Sequence, residues 1–89
     1  MSTYRVEYDP RAVKELKKLD RSVARAVHAA VLALAEDPRP VGCRRLVGVP
    51  GWWRIKVRRD WRVIYEIQDD RLLVIAVHIG HRGEVYRQL

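Results

Sequence analysis

The stretch Trp52-Trp53-Arg54-Ile55-Lys56-Val57-Arg58-Arg59-Asp60-Trp61-Arg62-Val63-Ile64-Tyr65 decides how this 89-residue chain folds. Trp53, Ile55 and Val57 alternate with Trp52, Arg54 and Lys56, and Trp61, Val63, Tyr65 and Ile67 alternate with Arg62, Ile64 and Glu66. A period of two marks half-buried strands, so this is a hairpin. The loop length follows from the side chains. A two-residue turn at Arg59-Asp60 pairs Val57 with Arg62 and mixes charge into the apolar face. A three-residue turn, Arg58 to Asp60, pairs Val57 with Trp61, Ile55 with Val63, Trp53 with Tyr65 and Lys56 with Arg62. Only an odd loop keeps one face apolar. Arg54, Lys56 and Arg62 are therefore expected to share the opposite face.

Working outward, Thr3 to Tyr8 alternates and reads as a strand, with Tyr4, Val6 and Tyr8 on one side. Asp9-Pro10 is a helix start, Asp as N-cap and Pro at the first helical position. Ala12, Leu16 and Leu19 recur at helical spacing, with Lys14, Lys17 and Lys18 on the outer face. Asp20 caps a second helix carrying the stripe Val23, Val27, Ala30, Val31 and Leu34. Glu36-Asp37-Pro38-Arg39-Pro40 ends it. Val41 to Gly51 reads as a loop, and Arg71 to Ile79, apolar on both faces, as a central strand. The turn at Asp69-Asp70 leaves the face of His78 open. Glu84 to Leu89 is expected to form a last helical turn. The result is one α+β domain over residues 1–89, ordered β-α-α-β-β-β, with a two-helix hairpin on one face of a mostly antiparallel sheet.

The formal net charge is +7. Most of the excess lies between Arg44 and Arg62, where Arg44, Arg45, Arg54, Lys56, Arg58, Arg59 and Arg62 face a single acid, Asp60. Such a balance suits a polyanionic partner, and arginine suits multidentate grip on phosphate. The plain alternative is a solvated basic strand face. The lone Cys43 excludes an internal disulfide, and no His, Cys or acidic spacing suggests a metal site. The N-terminus lacks the apolar run of a signal peptide and no stretch reaches membrane-spanning length, so a cytoplasmic protein is expected. Trp53 and Trp61 read as core, Trp52 as a rim residue, His78 as a structural histidine and His28 as a surface one.

Several segments, taken in order, resemble RelE-type toxins of the bacterial RelE/ParE superfamily. They are Tyr8-Asp9-Pro10-Arg11-Ala12 with its Lys-rich helix, Glu36-Asp37-Pro38-Arg39-Pro40, Arg44-Arg45-Leu46, Trp53-Arg54-Ile55-Lys56-Val57-Arg58, Trp61-Arg62-Val63-Ile64-Tyr65, and Gly80-His81-Arg82 with Val85-Tyr86. The resemblance implies the toxin of a type II toxin–antitoxin pair, an endoribonuclease that cuts messenger RNA in the ribosomal A site. It also implies a partner antitoxin that holds the toxin inactive in a hetero-oligomer, with no cofactor. The family's functional lysines and arginines, its arginine after the last strand and its C-terminal tyrosine fall on Arg54, Lys56, Arg62, Arg82 and Tyr86. The sequence departs from the pattern at Arg54, often Lys, at His81, where some members carry Lys, and in the short stretch between Arg82 and Tyr86.

Metal-free cleavage of this kind uses the 2′-hydroxyl as nucleophile. It needs a proton acceptor, cations for the charge on phosphorus and a donor for the departing 5′-oxygen. Arginine stabilises charge but does not give up its proton. Lys56, crowded by Arg54, Arg58 and Arg62, is the first candidate base, and His81 the second. Arg62 and Arg82 are expected to hold the scissile phosphate, with Arg44, Arg45, Arg58 and Arg59 adding phosphate contacts. Tyr86 either stacks on a base or assists proton transfer, the alternative being an end-packing tyrosine. Two other functions remain open: a gyrase-inhibiting toxin of the sister branch, which generally lacks this cationic set, and a non-catalytic RNA-binding domain. An antitoxin segment that wraps the domain and adds a helix or strand is expected.

Overall fold

Both helices begin where an aspartate meets free backbone N–H groups. The computed structural model describes residues 3–88. After strand β1 (Arg5–Tyr8), Asp9 accepts the Arg11 N–H at 2.9 Å and opens α1 (Pro10–Lys17), with Pro10 in the first turn. Asp20 accepts the Ser22 N–H at 3.2 Å and opens α2 (Arg21–Ala33). These caps satisfy donors that have no partner inside the helix. No helix among the described residues is long and apolar enough to cross a membrane.

Strands β2 (Arg44–Arg45), β3 (Trp52–Val57), β4 (Trp61–Gln68) and β5 (Leu73–His81) follow. The sheet runs β1-β5-β4-β3-β2, with β1 parallel to β5 and all other pairs antiparallel. The β3–β4 register is the one the odd loop requires: Val57 opposite Trp61, Lys56 opposite Arg62, Ile55 opposite Val63 and Trp53 opposite Tyr65. β5 lies inside the sheet, as its two-sided apolar pattern demands.

Several boundaries differ from the sequence reading. The segment read as a loop from Val41 to Gly51 contains β2, so the sheet has five strands rather than four. β1 starts at Arg5, and β5 at Leu73 rather than Arg71, because Asp69–Arg71 coil into a 3-10 turn that ends with Leu72 at a φ of 50°. The expected C-terminal turn is a 3-10 turn, Val85–Gln88, and Leu89 lies outside the described residues.

One face of the sheet and both helices enclose the core. Ala12, Val27, Val31 and Leu34 from the helices meet Ile55, Val57, Val63, Tyr65, Ile67, Val74, Ala76 and Ile79, with Trp53 and Trp61 packed at its margin. Ala76 and Ile79 both reach this core although they are three residues apart. A bulge explains it: Ile64 pairs with His78 and Tyr65 with Ala76, so Val77 is an extra residue that shifts the phase of β5. Past Ala76 the β1 side of β5 has no strand, and Glu15 of α1 takes that place by accepting the Ile79 N–H at 3.0 Å. His78, 4% exposed, brings Nδ1 within 3.4 Å of the same Glu15 oxygen and is structural, as expected. His28 is on the surface, where it bonds the Tyr8 hydroxyl.

The end of the sheet away from the β3–β4 turn is locked by side chains. Arg39 binds Asp69 through two bonds, at 3.2 and 2.7 Å, and lies over the Trp53 ring at 5.1 Å. Tyr4 donates its hydroxyl to Asp69 as well. Tyr65 donates to the Pro38 carbonyl at 2.8 Å, and burial pushes its phenol pKa far above the usual tyrosine range. The hydrogen bonds from Arg39 and then Tyr4 hold the Asp69 carboxyl below its ordinary value. A carboxyl depressed in the folded state stabilises the fold above its unfolded pKa of about 3.9, and that stabilisation is lost as pH falls through the folded value. We expect Asp69→Asn to lower the melting temperature at neutral pH and to flatten its decline below about pH 4, as read by thermal melts across pH.

Candidate RNA-cleavage site

The β3–β4 turn gathers the functional side chains, and its backbone is unusual. Arg58 and Arg59 have φ of 48° and 67°. For residues with a Cβ this left-handed region costs about 1–2 kcal/mol each. Three contacts hold the turn. Arg58 Nη1 donates to the Ser22 hydroxyl at 2.6 Å, tying the turn to the start of α2. Arg62 Nη1 donates to the Arg59 and Trp61 carbonyls at 2.7 and 3.0 Å. The Arg82 N–H donates to the Asp60 carbonyl at 2.8 Å, bringing in the segment after β5.

The register places Arg54, Lys56 and Arg62 on the sheet face opposite the helices, as expected. Their exposures differ. Lys56 is exposed, Arg54 is half-buried, and Arg62 is only 9% exposed. Arg62 does not project from the face, because its first nitrogen is bonded to the turn carbonyls. Its Nε and Nη2 make no hydrogen bond among the described residues and remain available to an anion. Arg54 Nη1 is buried and has no partner. β2 adds Arg44 directly opposite Arg54, with Arg44 and Arg45 both exposed. Like charges thus face each other twice, Arg44 against Arg54 and Lys56 against Arg62, an arrangement that destabilises a sheet unless an anion lies between them. Of the four additional phosphate ligands suggested by the sequence, Arg44, Arg45 and Arg59 are exposed with free heads, while Arg58 is committed to Ser22.

The C-terminal turn packs on β4 and β5. Gly80, opposite Arg62, makes this possible: a Cβ there would lie 3.5 Å from the Val85 Cβ. With Val85 buried, the next residue, Tyr86, stays 39% exposed. Arg82 and Tyr86 are therefore held beside the turn from opposite ends of one short segment. His81 departs from the expected set. It pairs with Trp61 and meets that ring edge-on at 5.6 Å, in a groove shared with Lys18, Leu19 and Glu84. Trp61 belongs to the core margin, so His81 faces the helix side, away from Arg62 and Lys56.

Two supporting residues escaped the sequence reading. Ser22 gave no signal, because its partner is 36 positions away. Gly80 gave a weak one, since a glycine inside a strand marks close approach of another segment. Among the described residues no group of three or more His, Cys, Asp or Glu side chains is placed to share a metal ion.

The comparisons with known proteins agree with this geometry. Residues 6–86 match the family model described as the ParE toxin of a type II toxin–antitoxin system. The mRNA interferase toxin RelE of Escherichia coli K12 is 31% identical over 88 residues, covering 96% of this chain and 92% of that protein. The crystal structure of the isolated E. coli RelE toxin superposes with a TM-score of 0.76, covering 96% of this chain and 93% of that one at 31% identity. The toxin–antitoxin complex RelBE2 of Mycobacterium tuberculosis gives 0.79 at 26% identity, covering 94% of this chain and 97% of that chain. This chain belongs to the RelE/ParE superfamily of type II toxin–antitoxin toxins.

The Gly80–Val85 contact sets a test of the site's construction. Gly80→Ala adds a methyl group at ordinary van der Waals distance and is expected to be tolerated. Gly80→Val has no room and should detach the C-terminal turn, seen as faster proteolysis after Arg82 and faster amide exchange from Glu84 onward while the core signals stay unchanged.

Proposed function

We propose that this protein is the toxin of a type II pair and acts in the cytoplasm as a ribosome-dependent endoribonuclease on messenger RNA. The observation that carries the reading is the paired cationic face, Arg44 with Arg54 and Lys56 with Arg62, with Arg82 pinned to the turn beside it. The homology to a protein named mRNA interferase supports it, and relatives solved as toxin–antitoxin complexes support a cognate antitoxin in a hetero-oligomer.

The chemistry needs only groups of this chain and of RNA. The 2′-oxygen attacks phosphorus and its O–P bond forms as the bond to the 5′-oxygen breaks. The 2′-hydroxyl proton passes to a base and the 5′-oxygen gains a proton, leaving a 2′,3′-cyclic phosphate and a free 5′-hydroxyl. Lys56, exposed and opposite Arg62, is the base on the same face as the cations when unprotonated. Arg62, held by its Nη1, presents Nε and Nη2 to the phosphate oxygens. Arg54 and Arg82 complete the charge clamp, and Tyr86 stacks on the neighbouring base. His81, on the helix side, has no part in this proton transfer.

The match to the ParE family model favours a second reading, a gyrase-inhibiting toxin. Primer extension on translated messenger, run beside a gyrase supercoiling assay, separates the two. The parent should give discrete cuts at ribosome-occupied codons with supercoiling unaffected. Lys56→Ala and Arg82→Ala should each slow cutting by about 100-fold or more. Cuts at undiminished rate in both variants sink the site assignment. Blocked gyrase without cuts favours the second reading, and salt-sensitive RNA binding with neither effect favours a non-catalytic binder.

A further inference from the structure

The charge on this protein is not confined to the cleavage face. Arg11, Lys14, Lys17 and Lys18 line α1 and its C-terminal end. Arg11, Lys14 and Lys18, spaced by three and four residues, fall on one side of the helix. With Glu15 and His78 they border a cleft between α1 and β5, and Lys18 also borders the groove that holds Trp61 and His81. A continuous cationic row therefore leads along α1 to the strand end where Arg82 begins the cleavage site.

The acids near this row are already engaged. Asp9 caps α1 and binds the Arg11 side chain at 2.9 and 3.2 Å. Glu15 accepts the Ile79 N–H and lies against buried His78, whose Nδ1 makes no hydrogen bond. Glu84 lies at the far side of the His81 groove. Among the described residues no carboxylate lies within ion-pair distance of Lys14, Lys17 or Lys18. Lysines in the last helical turn favour the helix dipole, which accounts for Lys17 and Lys18 locally but not for Lys14 and Arg11 in line with them.

We propose that α1 carries a second RNA-backbone contact, in which Lys14 and Lys18 hold successive phosphates of a strand running along the helix toward His81, with Arg11 and Lys17 beside them. Four residues of helix separate the two lysines by about 6 Å along the axis, which suits neighbouring phosphates of an extended strand. Lysine supplies point charges without base recognition, so the contact adds affinity and register but no sequence preference. The choice of RNA as the polyanion rests on the function proposed above. The phosphodiester has two sources, the messenger and ribosomal RNA.

The test reads binding, not cutting. A 2′-O-methylated single-stranded RNA, which has no attacking hydroxyl, and small ribosomal subunits without messenger are the two probes. Binding is measured across salt for the parent, for Lys14→Gln/Lys18→Gln, and for Arg5→Gln/Arg71→Gln as a charge-matched control at the other end of the sheet. With the methylated RNA the lysine variant should lose about 1.4 from the slope of log K against log salt, about 0.7 per released phosphate contact, and the control should not. A loss on the oligonucleotide assigns the row to messenger, and one on the subunits alone assigns it to ribosomal RNA. An unchanged slope on both probes overturns the proposal. Equal loss in the control also overturns it, as does weakened binding of the antitoxin alone. A parent that binds these RNAs but never cuts overturns the function proposed above and leaves this inference standing. A parent that cuts while the lysine variant keeps its slope overturns this inference alone.

Discussion

The odd three-residue turn between β3 and β4 governs the rest of the structure, because it determines which side chains share a face. With Arg58, Arg59 and Asp60 in the loop, every apolar residue of β3 meets an apolar residue of β4, and Lys56 meets Arg62. Shortening the loop by one residue would turn one strand over relative to the other and bring charge against the helices. The left-handed backbone at Arg58 and Arg59 is costly, and the arginines around it offset that cost. Arg62 binds the turn carbonyls from the sheet face, and Arg58 binds Ser22 on α2. Two of the cations that look like phosphate ligands in the sequence thus serve first to hold the turn.

That double use marks where reading the sequence succeeds and where it stops. The register was legible because a period of two leaves only one arrangement with a clean apolar face. The helix starts were legible because Asp9 and Asp20 are caps whose chemistry is local. β2 was not legible. Two arginines between glycines and prolines show no alternation, and only pairing with Trp53 and Arg54 makes them a strand. The depth of Arg62 was not legible either, since burial depends on a side chain bending back to carbonyls one and three residues away. His81 was misplaced because its environment depends on the turn after β4 and on the Val77 bulge, neither of which has a reliable local signal.

The bulge also connects the core to the site. It lets Ala76 and Ile79 both pack inward, and it fixes the phase in which β5 reaches its end. From there consecutive residues diverge. His81 meets Trp61 on the helix side, while the Arg82 N–H binds Asp60 at the turn. Gly80 then leaves room for Val85, so a short C-terminal segment can fold back over the sheet instead of needing a long helix to hold it. The brevity of the stretch between Arg82 and Tyr86 is accommodated by this one seat.

The two ends of the sheet differ in how well their polar groups are satisfied. At one end Arg39, Asp69, Tyr4, Trp53, Tyr65 and Pro38 form a closed set of bonds and contacts. At the other lie two like-charge cross-strand pairs, an unpartnered Arg54 nitrogen and two left-handed arginines. Selection for stability alone would remove such features, since each costs free energy and none contributes packing. Their concentration around one turn is explained by an anion that relieves them together when it binds. A phosphodiester does so only where it can reach Arg54, Lys56 and Arg62 at once, so the repulsion that weakens the free protein also directs the nucleic acid to the place where the 2′-oxygen can attack. An acidic antitoxin segment laid over the same cations would gain from the same relief, so inhibition needs no structural change in the toxin beyond covering this face.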